Sequence, residues 1–112
     1  VTLARRGLSY PATRRALIGD ESERHFQDRV KRLAHLCGWV AWHTRDSMGT
    51  RAGEPDLRMC RPPRYLLAEL KSQHGRLRLE QVQTIALLQR CPGIETYLWR
   101  PSDWEEIVSV LH

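Results

Sequence analysis

Two carboxylates and a lysine stand at a spacing that suits hydrolytic chemistry on an anion. Asp56 follows Pro55, and Glu69-Leu70-Lys71 begins thirteen residues after Asp56. Two carboxylates brought together repel unless a cation sits between them. A hard divalent ion with oxygen ligands is the expected guest, and Mg²⁺ would keep several waters. Such an ion lowers the pKa of a bound water and offsets charge on a phosphodiester in transit. Lysine adds a group that can give up a proton, which arginine cannot do near neutral pH. Of eighteen basic residues, sixteen are Arg and only Lys31 and Lys71 are Lys. A chain that writes almost every positive charge as Arg thus keeps Lys at position 71. There it could orient or deprotonate the water, or hold a nonbridging phosphate oxygen. The backbone carbonyl of Leu70, between the two side chains, could be a further ligand. Short charged patterns also recur by chance on edge strands, so the elements around this one must support it.

Those elements are legible in order. Residues 1–19 contain Gly7, Pro11 and Gly19 and show no sustained period. They read as a basic arm that lies along a nucleic-acid backbone or a second subunit, or as a disordered tail. The domain proper then runs over residues 20–112. Asp20 with Glu23 three residues on suits a helix start. Phe26, Val30, Leu33, Ala34 and Cys37 give that helix one apolar face, and Gly38 suits its end. Glu23 points to the same side as the core. It is either a capping acid or an acid aimed into a site, and the two roles are compatible.

Residues 39–44 read as a first strand, 55–60 as a second, and 64–71 as a third. In the third, Tyr65, Leu67, Glu69 and Lys71 share one face. A hairpin turning near residue 62 would set Asp56 opposite residue 68 or 69, bringing the two carboxylates together. A second helix follows over 79–90, with Val82, Ile85, Ala86 and Leu88 inward. Residues 94–99 make a fourth strand. Ser102 and Glu105 then box the start of a last helix with Trp104, Ile107, Val108 and Leu111 as its stripe. The expected fold is α/β, in the order α-β-β-β-α-β-α, with a central mixed sheet flanked by helices.

With Glu23, Gly53-Glu54-Pro55-Asp56, Glu69-Leu70-Lys71 and Gln81 in those elements, the chain resembles the PD-(D/E)xK nuclease superfamily. Within it, the chain most resembles the VRR-NUC group in its small stand-alone phage and bacterial form. The likeness runs from about Ser22 to Leu111. It implies a restriction-endonuclease-like core and a DNA endonuclease using Mg²⁺ or Mn²⁺. It makes Asp56 and Glu69 metal ligands, Lys71 the catalytic lysine, and Glu23 an acid reaching the metal through water. Gln81 would orient groups at the site. The small stand-alone members resemble Holliday-junction resolvases and act as homodimers, which implies branched DNA as substrate and a second copy of the chain as partner.

The bulk numbers bound the alternatives. A net charge of +5 and a pI near 9.6, carried by Arg, favour an anionic polymer as partner. A GC-rich genome would produce the same bias and the same field. His43, Arg45, Arg51, His74, Arg76 and Arg78 border the expected site and are candidate DNA contacts. Each could instead be an ordinary solvated side chain, and His43 a satisfied polar neighbour. The loop glycines Gly49 and Gly53 would let backbone approach phosphate. The four tryptophans read as core or interface residues more than as base-stacking platforms. Cys37, Cys60 and Cys91 are odd in number and far apart, which argues for free thiols in a reducing compartment. No apolar run is long enough to span a bilayer. The expected location is the cytoplasm of a bacterium or a phage-infected host. Two rival readings remain, a catalytically silent nucleic-acid-binding module and an accessory subunit with a nuclease fold.

Overall fold

The computed structural model describes residues 21–44 and 51–112. The expected arm, the Asp20 cap, Arg45 and Gly49 lie outside them. Within the described residues the order of helices and strands is the expected one, with the bounds shifted by a few residues.

Helix α1 spans Glu23–Leu36. Its N-cap is Ser22, whose Oγ accepts from the His25 amide at 3.1 Å. A hydroxyl one turn ahead satisfies an amide that has no partner within the helix. Phe26, Val30 and Ala34 recur every fourth residue and are fully buried. The helix stops at Gly38, which takes φ +85°. The Gly38 amide returns to the His35 carbonyl and the Trp39 amide to the Ala34 carbonyl. This pair of closing bonds needs a left-handed residue, and glycine adopts that conformation without a Cβ penalty.

The sheet has four strands in spatial order β1-β2-β3-β4. Strands β1 (Val40–His43), β2 (Leu57–Arg61) and β3 (Arg64–Leu70) run antiparallel. Pro62-Pro63, joined by a cis bond, makes the turn between β2 and β3. Strand β4 (Glu95–Trp99) lies parallel to β3. A parallel pair needs a crossover, and helix α2 (Leu79–Leu88) supplies it. Helix α3 (Trp104–Leu111) closes the chain after a short 3₁₀ turn at Pro101–Asp103. The expected cap at Ser102 is not used. Asp103 instead accepts from the Arg100 amide at 2.8 Å, which starts the turn three residues earlier.

One face of the sheet carries Leu57, Met59, Leu66, Ala68, Leu70 and Trp99, and α1 and α3 cover it to form the main core. The other face carries Leu67 and Glu69, and α2 lies over it. Strand β3 is therefore buried on both sides. Two arginines of the β2–β3 hairpin bind the core helices from their ends. Arg61 donates to the carbonyls of Cys37 and Leu111, and Arg64 to that of Val110. Both guanidinium groups stack on Trp39, at 4.7 and 4.9 Å. Cations at helix C-termini meet the negative end of the helix dipole.

The inward face of α2 differs from the periodicity reading. Gln81, Thr84 and Ile85 are buried, while Val82 and Ala86 face outward. The helix is apolar on both sides, so its pattern alone does not fix its rotation. Gln81 fixes it through a polar bond to the sheet.

Candidate active site

Strand register brings Asp56 and Glu69 together. Leu57 pairs with Ala68, so the next residues outward, Asp56 and Glu69, stand opposite each other. Directly opposed residues project from the same face. The ladder continues past β2, since the Thr44 amide donates to the Asp56 carbonyl at 2.7 Å. Beyond β3, the Lys71 amide donates to the Trp99 carbonyl at 3.1 Å. Lys71 thus stays in the sheet and presents its side chain on the Glu69 face.

Glu69 is the unusual member. It is 0% exposed although it is an acid. Its Oε2 accepts from Gln81 Nε2 at 3.0 Å and lies 3.8 Å from Lys71 Nζ. Its Oε1 is buried and has no hydrogen-bond partner. Burial, and then the Asp56 carboxylate, push the Glu69 pKa up to about 7, against the pull of Lys71. A bare carboxylate oxygen in a desolvated place is costly unless a proton or a cation meets it.

Gln81 has two duties. Its Nε2 holds Glu69, and its Oε1 accepts from the Arg78 amide at 2.8 Å. The side chain caps α2 and fixes one site oxygen at the same time. With one end tied to backbone, the amide nitrogen must face Glu69, so the rotamer is set twice.

Gly53 takes φ +81° and sits against the start of α2. A Cβ there would lie 2.2 Å from the Glu80 carbonyl oxygen. The glycine therefore serves a backbone-to-helix contact. Arg51 Nε donates to Thr84 Oγ1 at 3.2 Å, and that hydroxyl donates to the Ala52 carbonyl at 3.1 Å. These contacts lock the loop ahead of Asp56 onto the helix that carries Gln81.

Comparison with protein-family models, curated proteins and solved structures finds no match to this chain. The site must be read from its own atoms.

Among the described residues, no three His, Cys, Asp or Glu side chains gather as a metal-holding group. Glu23 is half-buried in the first turn of α1. Leu70 turns its side chain into the core, which leaves its backbone carbonyl as the group that could serve the site. His43 projects on the face opposite Asp56, where its Nε2 lies 2.9 Å from Lys31 Nζ. Arg51, His74, Arg76 and Arg78 are exposed.

Two residues escaped the sequence reading. Arg100 Nη1 donates to the carbonyls of Ser72, at 2.7 Å, and Gly75, at 2.8 Å. It holds the loop that follows Lys71. An Arg after an apolar strand carries no signal of such a role. Glu21 is nearly buried and binds Arg29 through both oxygens at 2.7 Å. Burial works to raise its pKa, but the bonds from Arg29 and His25 prevail and lower it. Arg29 also lies over the Trp104 ring at 4.1 Å. The pair ties the start of α1 to α3.

Proposed function

We propose that this chain is a metal-dependent DNA endonuclease of the PD-(D/E)xK type, similar to the VRR-NUC group. The observation that carries the reading is the bare, buried Oε1 of Glu69 beside Asp56. Structural acids are buried with their oxygens satisfied; Glu69 keeps one oxygen unmet and faces a second carboxylate across the ladder. A divalent cation is the guest that would offset both.

Asp56, Glu69 and the Leu70 carbonyl are hard oxygen donors and fit Mg²⁺ or Mn²⁺. Glu23 would join through water. The ion, when bound, supplies positive charge to the phosphodiester being cut. Lys71 orients or deprotonates the attacking water, or holds a nonbridging oxygen. Gln81 keeps Glu69 in position. The exposed Arg51, Arg76 and Arg78 supply the field and the forks for phosphate. The mixed sheet with helices on both faces supports the restriction-endonuclease-like core, and the choice of branched DNA and of a homodimer rests on the family resemblance. A four-way junction needs two paired cuts, which a symmetric dimer would supply.

The test is cleavage of a labelled four-way junction and a matched linear duplex by wild type and Asp56→Ala, each with Mg²⁺, Mn²⁺ or EDTA. Metal-dependent cutting that disappears in the variant is expected, with the junction preferred. Binding without cutting under every condition would sink the reading and favour the silent binding module.

A further inference from the structure

Among the described residues, cover on the face of the sheet that carries Asp56 and Glu69 comes from α2 and lies over β3 and β4. Helix α2 shields β3 and β4 through Gln81, Thr84 and Ile85. Over β1 the same face presents Trp42, 44% exposed, and Val40, 66% exposed. Trp42 stands directly opposite Arg58, and Arg58 lies two residues after Asp56. Trp42 therefore projects from the site face one strand over from Asp56. The offset along the strand is about 6.8 Å, comparable with the spacing of neighbouring nucleotides in an extended strand.

Arg58, opposite Trp42 in the ladder, is fixed. Arg58 Nε donates to Thr44 Oγ1 at 3.0 Å, and Nη1 to the Tyr65 hydroxyl at 3.0 Å. Its remaining nitrogen is paired with Glu54, two residues before Asp56. Arg58 is thus committed to the protein, and its bonds tie the ladder next to Trp42 to β3 and to the loop ahead of Asp56.

Charge points to the class of occupant. Among the described residues, no ion pair engages Arg51, Arg76 or Arg78. Arg76 and Arg78 follow Lys71 and lead into the helix that carries Gln81, so this rim is positive. A polyanion with flat apolar faces would satisfy both the rim and the open indole, and a nucleic-acid strand is such a molecule.

We propose that Trp42 is a stacking platform for an unpaired base next to the phosphate held at Asp56 and Glu69. The substrate class is then branched DNA in which a base at the branch point, beside the cut, is left unpaired. A base paired inside a duplex has no free face to offer the indole. The inference rests on the nuclease reading for the position of the phosphate.

Binding of a labelled oligo-dT strand by wild type, Trp42→Phe and Trp42→Ala, in EDTA, tests it. Anisotropy reads affinity, intrinsic fluorescence reads the indole, and sedimentation reads the oligomeric state. Trp42→Ala is expected to bind roughly tenfold more weakly or worse. Trp42→Phe is expected to keep most of the affinity and lose most of the quench. Equal affinity in wild type and Trp42→Ala would overturn the proposal. So would a loss of affinity that follows only from a changed oligomeric state, which would make Trp42 a subunit contact. Trp42-dependent binding without metal-dependent cutting of any substrate would support the platform and overturn the nuclease reading, so the two fail separately.

Discussion

Gln81 Nε2 donates to Glu69 Oε2 at 3.0 Å, while Glu69 Oε1 in the same carboxylate is buried beside Asp56 without a hydrogen-bond partner. One oxygen is fixed by the crossover helix and the other is not. That asymmetry suits the proposed role of Glu69 as a metal ligand. Burial of the same side chain beside Asp56 sets the pH behaviour of the metal-free protein.

Glu69 has its pKa raised from the ordinary 4.5 to about 7, by burial and by Asp56. The folded state therefore holds this proton more tightly than the unfolded chain does. The stability that follows is present below about pH 4.5 and is lost as pH rises through 7. In EDTA, the wild-type Tm should fall between pH 5 and pH 8 by roughly 5 °C more than that of Glu69→Gln. Adding Mg²⁺ at pH 8 should raise the wild-type Tm and leave Glu69→Gln unmoved. Parallel Tm profiles for the two proteins would remove the buried acid from the account.

Lys71 lies 3.8 Å from Glu69 Oε2 with its side chain 15% exposed. Lys71→Ala should bind DNA and cut it roughly 10²-fold or more slowly. Lys71→Arg should also lose most activity if proton handling matters, because guanidinium stays charged. Single-turnover cleavage beside a binding titration separates the two. Near-wild-type rates for Lys71→Arg would show that charge alone suffices.

Removing Gln81 unties both the Glu69 carboxylate and the Arg78 amide. Gln81→Ala should destabilise by about 1–3 kcal/mol in urea unfolding. It should also lower kcat at saturating metal, since Glu69 then loses its fixed rotamer. Unchanged kcat with reduced stability would confine Gln81 to a capping role.

Gly53→Ala should be among the costlier single substitutions. The position needs φ +81°, and the added carbon would meet the Glu80 backbone. A left-handed alanine costs on the order of 1 kcal/mol, and the clash adds to it. Because the loop leads into Asp56, metal affinity should weaken as well. Urea unfolding with a Mn²⁺ titration checks both, and a stable variant with normal affinity would contradict the packing argument.

The sequence by itself determined the element order, the end of α1 at Gly38 and the meeting of Asp56 with Glu69. These follow from local geometry. Period 3.6 marks a helix, glycine permits the left-handed stop, and a hairpin centred on Pro62-Pro63 fixes which residues face each other. What the tertiary structure decided depends on neighbours distant in the chain. Helix α2 is apolar on both sides, so only the Gln81–Glu69 bond chose Gln81, Thr84 and Ile85 as its inner face. Ser22 capped α1, and Asp103 rather than Ser102 set the last turn, because several residues at each end could have capped. Burial of Glu69 needed a helix laid over the far face of β3, and period-2 alternation does not show which faces get covered. Arg100 and Glu21 took their roles from where loops and helices came to rest. Long-range packing sets those places, and no nearby residue announces them.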